Sequence, residues 1–212
     1  AREPLHRELY HRTKHPLTVI PAMLVLQAGE FPDNQDLQQD VNDTADRIRT
    51  IALVHQMLYR TQDLSRVELG EYTRNLAKMV FESHGVEESR IALSVAVPEQ
   101  SILLDTAIPY GQIVNELLHN SLKHAFPNGR RGTVSITLHR MGADRLHLDY
   151  SDDGVGFPPD FSLADSTTFG LRLIHGLVET QMLGKITLQP GPGVHYHIEF
   201  RCDLYADRIN PT

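Results

Sequence analysis

The chain has a single cysteine, Cys202, and no tryptophan among its 212 residues. One thiol excludes a disulfide framework and fits a reducing cytosol, so any core must come from packing rather than cross-links. No apolar run approaches the roughly 18 residues that a membrane span requires, and Ala1 does not open a signal-peptide pattern. The expectation is a cytoplasmic piece with no membrane contact of its own. Positive charge is also short: 20 Lys and Arg against 27 Asp and Glu give a formal net charge of −7 and a pI near 5.9. With no basic stripe, nucleic acid is not an expected partner, and Arg130-Arg131 reads as a solvated turn. Internal repeats and low-complexity tracts are lacking too.

What is present is enough for a sizeable core. At 41% hydrophobic residues the chain can form one large domain or two small ones, and two are expected. From about Leu5 to Ala28, Leu5, Leu9, Leu17, Ile20 and Leu24 share one broad helical face while His11, His15 and Thr18 share the other. Gly29 to Asn34 reads as a turn in which Asp33 or Asn34 can cap a second amphipathic helix carrying Leu37, Val41, Ile48, Ile51, Ala52 and Leu58. Two helices on so short a loop are expected to lie antiparallel. A lone hairpin covers its apolar stripe poorly, so pairing with a second copy into a four-helix bundle is the expected remedy.

Beyond Gln62 to Ser65 the pattern turns to α+β. A helix over Leu69–His84, strands at Ile91–Val97 and Ile102–Leu104, and a long helix over Ala107–Phe126 come first. A hairpin of Thr133–Leu138 with Arg145–Tyr150 follows about Gly142, then a helix over Gly170–Met182. The last strand pair, Lys185–Leu188 and His195–Phe200, flanks a Pro-Gly-Pro-Gly turn. Such segregation favours a layered sheet with helices on one face.

Two segments carry chemistry. On the long helix, Glu116, Asn120 and Lys123 project together, opposite Val114, Leu118 and Ala125. Taken alone they read as a solvated polar stripe. Asp152-Asp153-Gly154-Val155-Gly156 sets a carboxylate at a strand end before two flexible glycines, which alone reads as a turn. Together they supply what a nucleotide site needs: an acid to read the base, a backbone that approaches phosphates, and hard oxygen ligands for Mg²⁺. Asn120 would ligate the ion, Glu116 would hold it through water, and Lys123 would answer phosphate charge. With His11 displayed on the first helix, an ATP site suggests phosphoryl transfer. The chain has 12 histidines, so most read as ordinary packing or surface. His195-Tyr196-His197 alternates on one strand with no third ligand and reads as surface as well.

These residues resemble a known family. E-L-x-x-N-x-x-K-H at Glu116 to His124, D-x-G-x-G at Asp152 to Gly156 and Gly170-Leu171 are similar to the N-box, G1 box and a shortened G2 box of the ATP-binding domain shared by histidine kinases, gyrase, Hsp90 and MutL. E-x-x-H-R-x-K at Glu8 to Lys14 and R-x-x-x-I-A-x-x-H-x-x-L-Y at Arg47 to Tyr59 resemble the dimerisation and phosphoacceptor domain of two-component sensor histidine kinases, in the subfamily that usually reads H-R-x-K-N-N-L. The resemblance implies an α+β chain: a helical hairpin over residues 1–62, dimerising into a bundle, then a Bergerat-type α/β sandwich over residues 63–207. It further implies Mg-ATP as phosphoryl donor, a response-regulator receiver domain as partner, and an upstream sensor domain outside this chain. His11 becomes the phosphoacceptor, with Glu8 one turn earlier orienting its imidazole. Glu116 and Lys123 serve catalysis, and Asn120, Lys123, His124, Asp152, Gly154, Gly156, Gly170 and Leu171 hold the nucleotide.

The chain departs from the pattern at His15-Pro16, where the subfamily has Asn-Asn. Pro16 removes a helix hydrogen bond and is expected to kink the segment. The lack of tryptophan sets the chain apart from the sister subfamily named for a W-x-E signature. Phe157 to Phe169 corresponds in position to an ATP lid. Two other readings stay open: a histidine phosphotransfer protein of this architecture with an inactive ATP domain, and an ATP-driven clamp of the gyrase type.

Overall fold

The computed structural model describes residues 17, 19–58, 66–86, 89–158, 161 and 169–202, within two compact units that divide between Ser65 and Arg66. In the first unit, helix α1 covers residues 19–29 and helix α2 covers Gln35–Leu58. Of the two cap candidates Asn34 serves, its Oδ1 accepting the Leu37 N–H at 3.0 Å. Among the described residues the buried positions are Pro21 and Ala28 on α1 and Ala45, Thr50, Val54 and Met57 on α2. Ile20, expected on the covered face, is instead exposed, and Leu17, Leu24, Val41 and Ile48 are only half-buried. Two helices of one chain leave much of so broad a stripe uncovered.

The second unit is built on a five-stranded sheet. Its strands are β2 (Ile91–Ala96), β4 (Gly132–Met141), β5 (Arg145–Asp152), β6 (Lys185–Leu188) and β7 (Val194–Arg201), in spatial order β2-β4-β5-β7-β6. Only the β2–β4 pair is parallel. A two-stranded antiparallel ribbon joins β1 (Arg66–Glu68) to β3 (Ser101–Leu103). Helix α3 (Leu69–Ser83) buries Leu69, Tyr72, Leu76 and Val80 at helical spacing, and Gly85, with φ of +60°, ends it. Helix α4 (Leu104–Asn120) packs against both α3 and α5 (Phe169–Gly176).

Strand alternation divides the sheet into two unlike faces. Val134, Ile136 and Leu138 on β4, Leu146, Leu148 and Tyr150 on β5, and Tyr196, Ile198 and Phe200 on β7 are all buried on the inner face. That face meets α4, because the Tyr150 hydroxyl lies 2.9 Å from the Leu117 carbonyl oxygen. The intervening residues are half-buried or exposed. The architecture is the expected helical segment followed by an α+β sandwich. Two helix ends differ from expectation: the segments to Phe126 and Met182 do not continue as α-helix but close in single π turns, Ser121–Ala125 and Leu177–Gln181. Among the described residues no helix is long and apolar enough to cross a membrane.

Candidate active site

Alternation on β5 sends Asp152 inward at its last position, where it is only 5% exposed. A carboxylate so placed requires donors. Its Oδ1 accepts the Gly154 N–H at 3.0 Å and the Val194 N–H at 3.3 Å, and its Oδ2 accepts the Ser121 hydroxyl at 2.5 Å. A carboxylate offers about four acceptor positions. Three are filled among the described residues, so one on Oδ2 is left for a ligand donor. Asp153 next door is different in kind. Its Oδ1 accepts the Thr133 N–H at 2.7 Å, fastening the turn to β4.

The Tyr150 hydroxyl stands 2.9 Å from Ser121 Oγ as well as 2.9 Å from the Leu117 carbonyl, and its single proton can serve either. Burial, outweighing the Ser121 hydrogen bond and reinforced by the Asp152 charge, holds this hydroxyl well above the usual tyrosine range. Burial, then the Asp152 charge, also raise Tyr196. The Tyr196 hydroxyl is buried with no hydrogen-bond partner among the described residues, which costs about 1–3 kcal/mol unless a ligand supplies one. Phe157 meets the Tyr196 ring edge-on at 6.5 Å and stacks on Phe161 at 3.9 Å.

The glycines fit for specific reasons. A Cβ on Gly154 would come within 2.5 Å of the Ala125 carbonyl oxygen, the same oxygen that accepts the Val155 N–H at 3.0 Å. Gly156 has φ of +72°, and a Cβ there would stand 2.8 Å from the Gly193 carbonyl oxygen. At Gly170 a Cβ would stand 2.7 Å from Glu116 Oε2 and 4.0 Å from Asn120 Nδ2. The fold thereby brings Glu116, Asn120 and Gly170 to one place, and Asp152, Gly154 and Ser121 to another along the same helix and its π turn. The arrangement suits a purine whose amino group needs an acceptor, and the carboxamide and carboxylate pair offers the hard oxygens that Mg²⁺ prefers.

Burial differs among the expected residues. Glu116 is 3% exposed, so it is not part of a solvated stripe, whereas Lys123 and His124 are exposed on the π turn. Lys123 sits on the π turn Ser121–Ala125, just past the end of the α-helix that carries Glu116 and Asn120. Leu171, the third residue of α5 and the one after Gly170, is buried. His11 and Glu8 lie outside the described residues, as does most of the segment from 157 to 169. Sequence reasoning missed Ser121, Tyr150 and Tyr196. A serine four residues after Leu117 on a buried face, and two tyrosines at inward strand positions, each announce a hydroxyl that needs a partner.

Comparison with known proteins matches both parts of the chain to family models. Residues 8–84 match the family described as Histidine kinase, and residues 105–206 match that of the histidine kinase-, DNA gyrase B-, and HSP90-like ATPases. Sensor histidine kinase PdtaS of Mycobacterium tuberculosis is 30% identical over 185 residues, which are 86% of this chain and 36% of that protein. The blue-light-activated histidine kinase 2 of Erythrobacter litoralis is 26% identical over 180 residues, 81% of this chain and 49% of its own length. The chain therefore spans between about a third and a half of these curated relatives. Among solved structures, the histidine kinase domain of the Erythrobacter litoralis blue-light activated kinase EL346 has a TM-score of 0.69 over 92% of this chain and 90% of that one, at 23% identity. At that identity the likeness is one of fold.

Proposed function

The chain belongs to the histidine kinase family, and we propose that it is an ATP-dependent kinase core that phosphorylates its own His11 and passes the phosphoryl group to an aspartate on a response-regulator receiver domain. The observation that carries this is Asp152: buried, held by three donors, and left with one acceptor position beside two glycines that keep side chains away. An adenine amino group donates to that position. Guanine presents an acceptor there, so ATP is preferred over GTP.

The division of labour follows from residue chemistry. Gly154, Gly156 and Gly170 let the backbone approach the nucleotide, Lys123 answers phosphate charge, and Asn120 with Glu116 would hold Mg²⁺, the latter through water. When bound, the ion supplies charge neutralisation on the phosphates. A neutral imidazole, with a reference pKa of about 6.5, has a free lone pair at cytosolic pH and needs no prior deprotonation to attack. A bond forms between the His11 nitrogen and the γ-phosphorus, the bond from that phosphorus to the bridging oxygen breaks, and ADP leaves. Glu8 orients the ring. The reading also places the core in the cytosol as a homodimer through its helical unit, with the two domains at residues 1–62 and 63–207.

Incubation with γ-labelled ATP tests the proposal. Acid-labile, alkali-stable label is expected on the intact chain and absent from His11→Ala, which still binds nucleotide. Label that persists in His11→Ala rejects the assignment. A chain that accepts phosphate only from a phosphorylated partner would instead be a phosphotransfer protein with an inactive ATP domain.

A further inference from the structure

The outer face of the sheet carries a histidine cluster that the nucleotide site does not use. Register explains how it forms: Asp149 on β5 is paired with His197 on β7, and two residues along the strands His147 stands between His139 on β4 and Glu199 on β7. All are odd-numbered positions on the face opposite Asp152 and Tyr150. Cross-strand neighbours on one face of an antiparallel pair sit within side-chain reach, so three strands deliver their groups to one spot.

The atoms converge on one carboxylate oxygen. His147 Nε2 lies 3.2 Å from Asp149 Oδ1 and 3.0 Å from His197 Nδ1, and His197 Nδ1 also contacts Asp149 Oδ1. His195 Nε2 stands 3.8 Å from the same oxygen, and His139 Nε2 stands 3.9 Å from Oδ2. The donor atoms of His147, Asp149 and His197 all fall within 4.8 Å of one another, and the three side chains are half-buried. Protons on the ring nitrogens can bond at most two of the three contacts among these atoms. A cation satisfies all three at once. Ligands about 2.0–2.1 Å from a tetrahedral zinc lie roughly 3.3 Å apart, close to two of the separations found here.

We propose that His147, Asp149 and His197 form a binding site for a borderline divalent transition-metal ion such as Zn²⁺, with His195 or water in the fourth position. Two imidazoles and one carboxylate suit zinc, cobalt or copper and disfavour Mg²⁺, which keeps oxygen ligands and several waters. The site is distinct from the expected Mg²⁺ position, which involves Asn120 and Glu116 on the inner side of the sheet. Because β4, β5 and β7 lie side by side within the sheet, the ligands are held on regular strands rather than on loops.

Titration of the full chain with Co²⁺, in the absence of nucleotide and with Mg²⁺ in excess, tests it. The expected result is one Co²⁺ per chain, with the visible absorption of a four- or five-coordinate ion and displacement by Zn²⁺. Since loss of an outer-shell partner already costs ten- to hundredfold, His147→Ala and His197→Ala should each weaken binding by about hundredfold or more while ATP affinity is unchanged. Asp149→Asn keeps the size of the side chain and should also weaken binding. No Co²⁺ bound at about 100 µM, an affinity too weak to call a site, overturns the proposal. So does stoichiometric Co²⁺ binding that survives these substitutions, which would put the ion on other histidines.

Discussion

Among the described residues Asp152 has three donors and one acceptor position to spare, so its carboxylate is both held and directed. Asp152→Asn removes a charge-assisted bond to the base and turns an NH₂ toward groups that already donate. ATP affinity should fall by about 1.5–3 kcal/mol, roughly ten- to hundredfold in Kd. Calorimetry showing unchanged Mg-ATP affinity would reject the base-reading role. Ser121→Ala takes away one neutral donor and leaves the carboxylate in place. Its cost in ATP affinity should be smaller, about 0.5–1.5 kcal/mol, and equal affinities for the two variants would contradict the ranking. Asp152, Gly154 and Gly156 were legible in the sequence because acid and glycine form a local pattern. Ser121 was not, since its importance depends on β5 arriving from thirty-one residues away.

At the scale of elements, alternation and helical spacing located most of the sheet and helices, and what escaped depends on partners. Strand β1 has three residues, too few for a period, and exists through its pairing with β3. The π turn after Asn120 cannot be told from continued α-helix in five residues, yet it is the segment on which Lys123 and His124 sit. The start of α3 is likewise decided by contact: Glu68 caps it, accepting from Gly70 N–H at 3.0 Å and Glu71 N–H at 2.5 Å, and also takes the Gln100 N–H at 3.3 Å. Glu68→Ala should therefore cost about 1–2 kcal/mol in a denaturant melt, and a midpoint unchanged from the parent would show the cap to be idle. Between α3 and α4, Tyr72 and Tyr110 are both raised above the ordinary tyrosine range, chiefly by burial. A raised folded pKa means that the folded chain keeps protons that the unfolded chain releases. Stability is thus fully present below about pH 10, the unfolded value, and is lost as pH climbs toward the folded values. Melts across that range should show a falling midpoint, with a shallower fall in Tyr110→Phe. A midpoint flat with pH would contradict the burial of these hydroxyls.

For the whole molecule the order of a helical unit before an α+β sandwich was legible, because the hydrophobic period itself changes near residue 65. Assembly was legible only as an excess of apolar surface, and the structure sharpens that excess. In the first unit Ile20 is 44% exposed, Met23 56%, Leu26 73% and Phe31 57%. Ile20, Met23 and Leu26 follow one another at helical spacing on α1, so they form a stripe rather than scattered residues. Each such side chain contributes about 1.5–3 kcal/mol when fully buried, and two copies bury the stripe twice. That gain competes with an association cost of about 4–15 kcal/mol, which a four-helix bundle of this size can offset. The full chain should therefore be a dimer by light scattering at micromolar concentration. Met23→Glu with Leu26→Glu, which sets like charges across the stripe, should give a monomer whose ATP binding is intact, because the nucleotide residues all lie beyond Arg66. Removal of residues 1–65 should likewise leave a monomeric ATP-binding unit that does not label itself. A full chain that runs as a monomer and autophosphorylates at a rate independent of protein concentration would reject the bundle and require the ATP-binding unit to reach the His11 of its own chain.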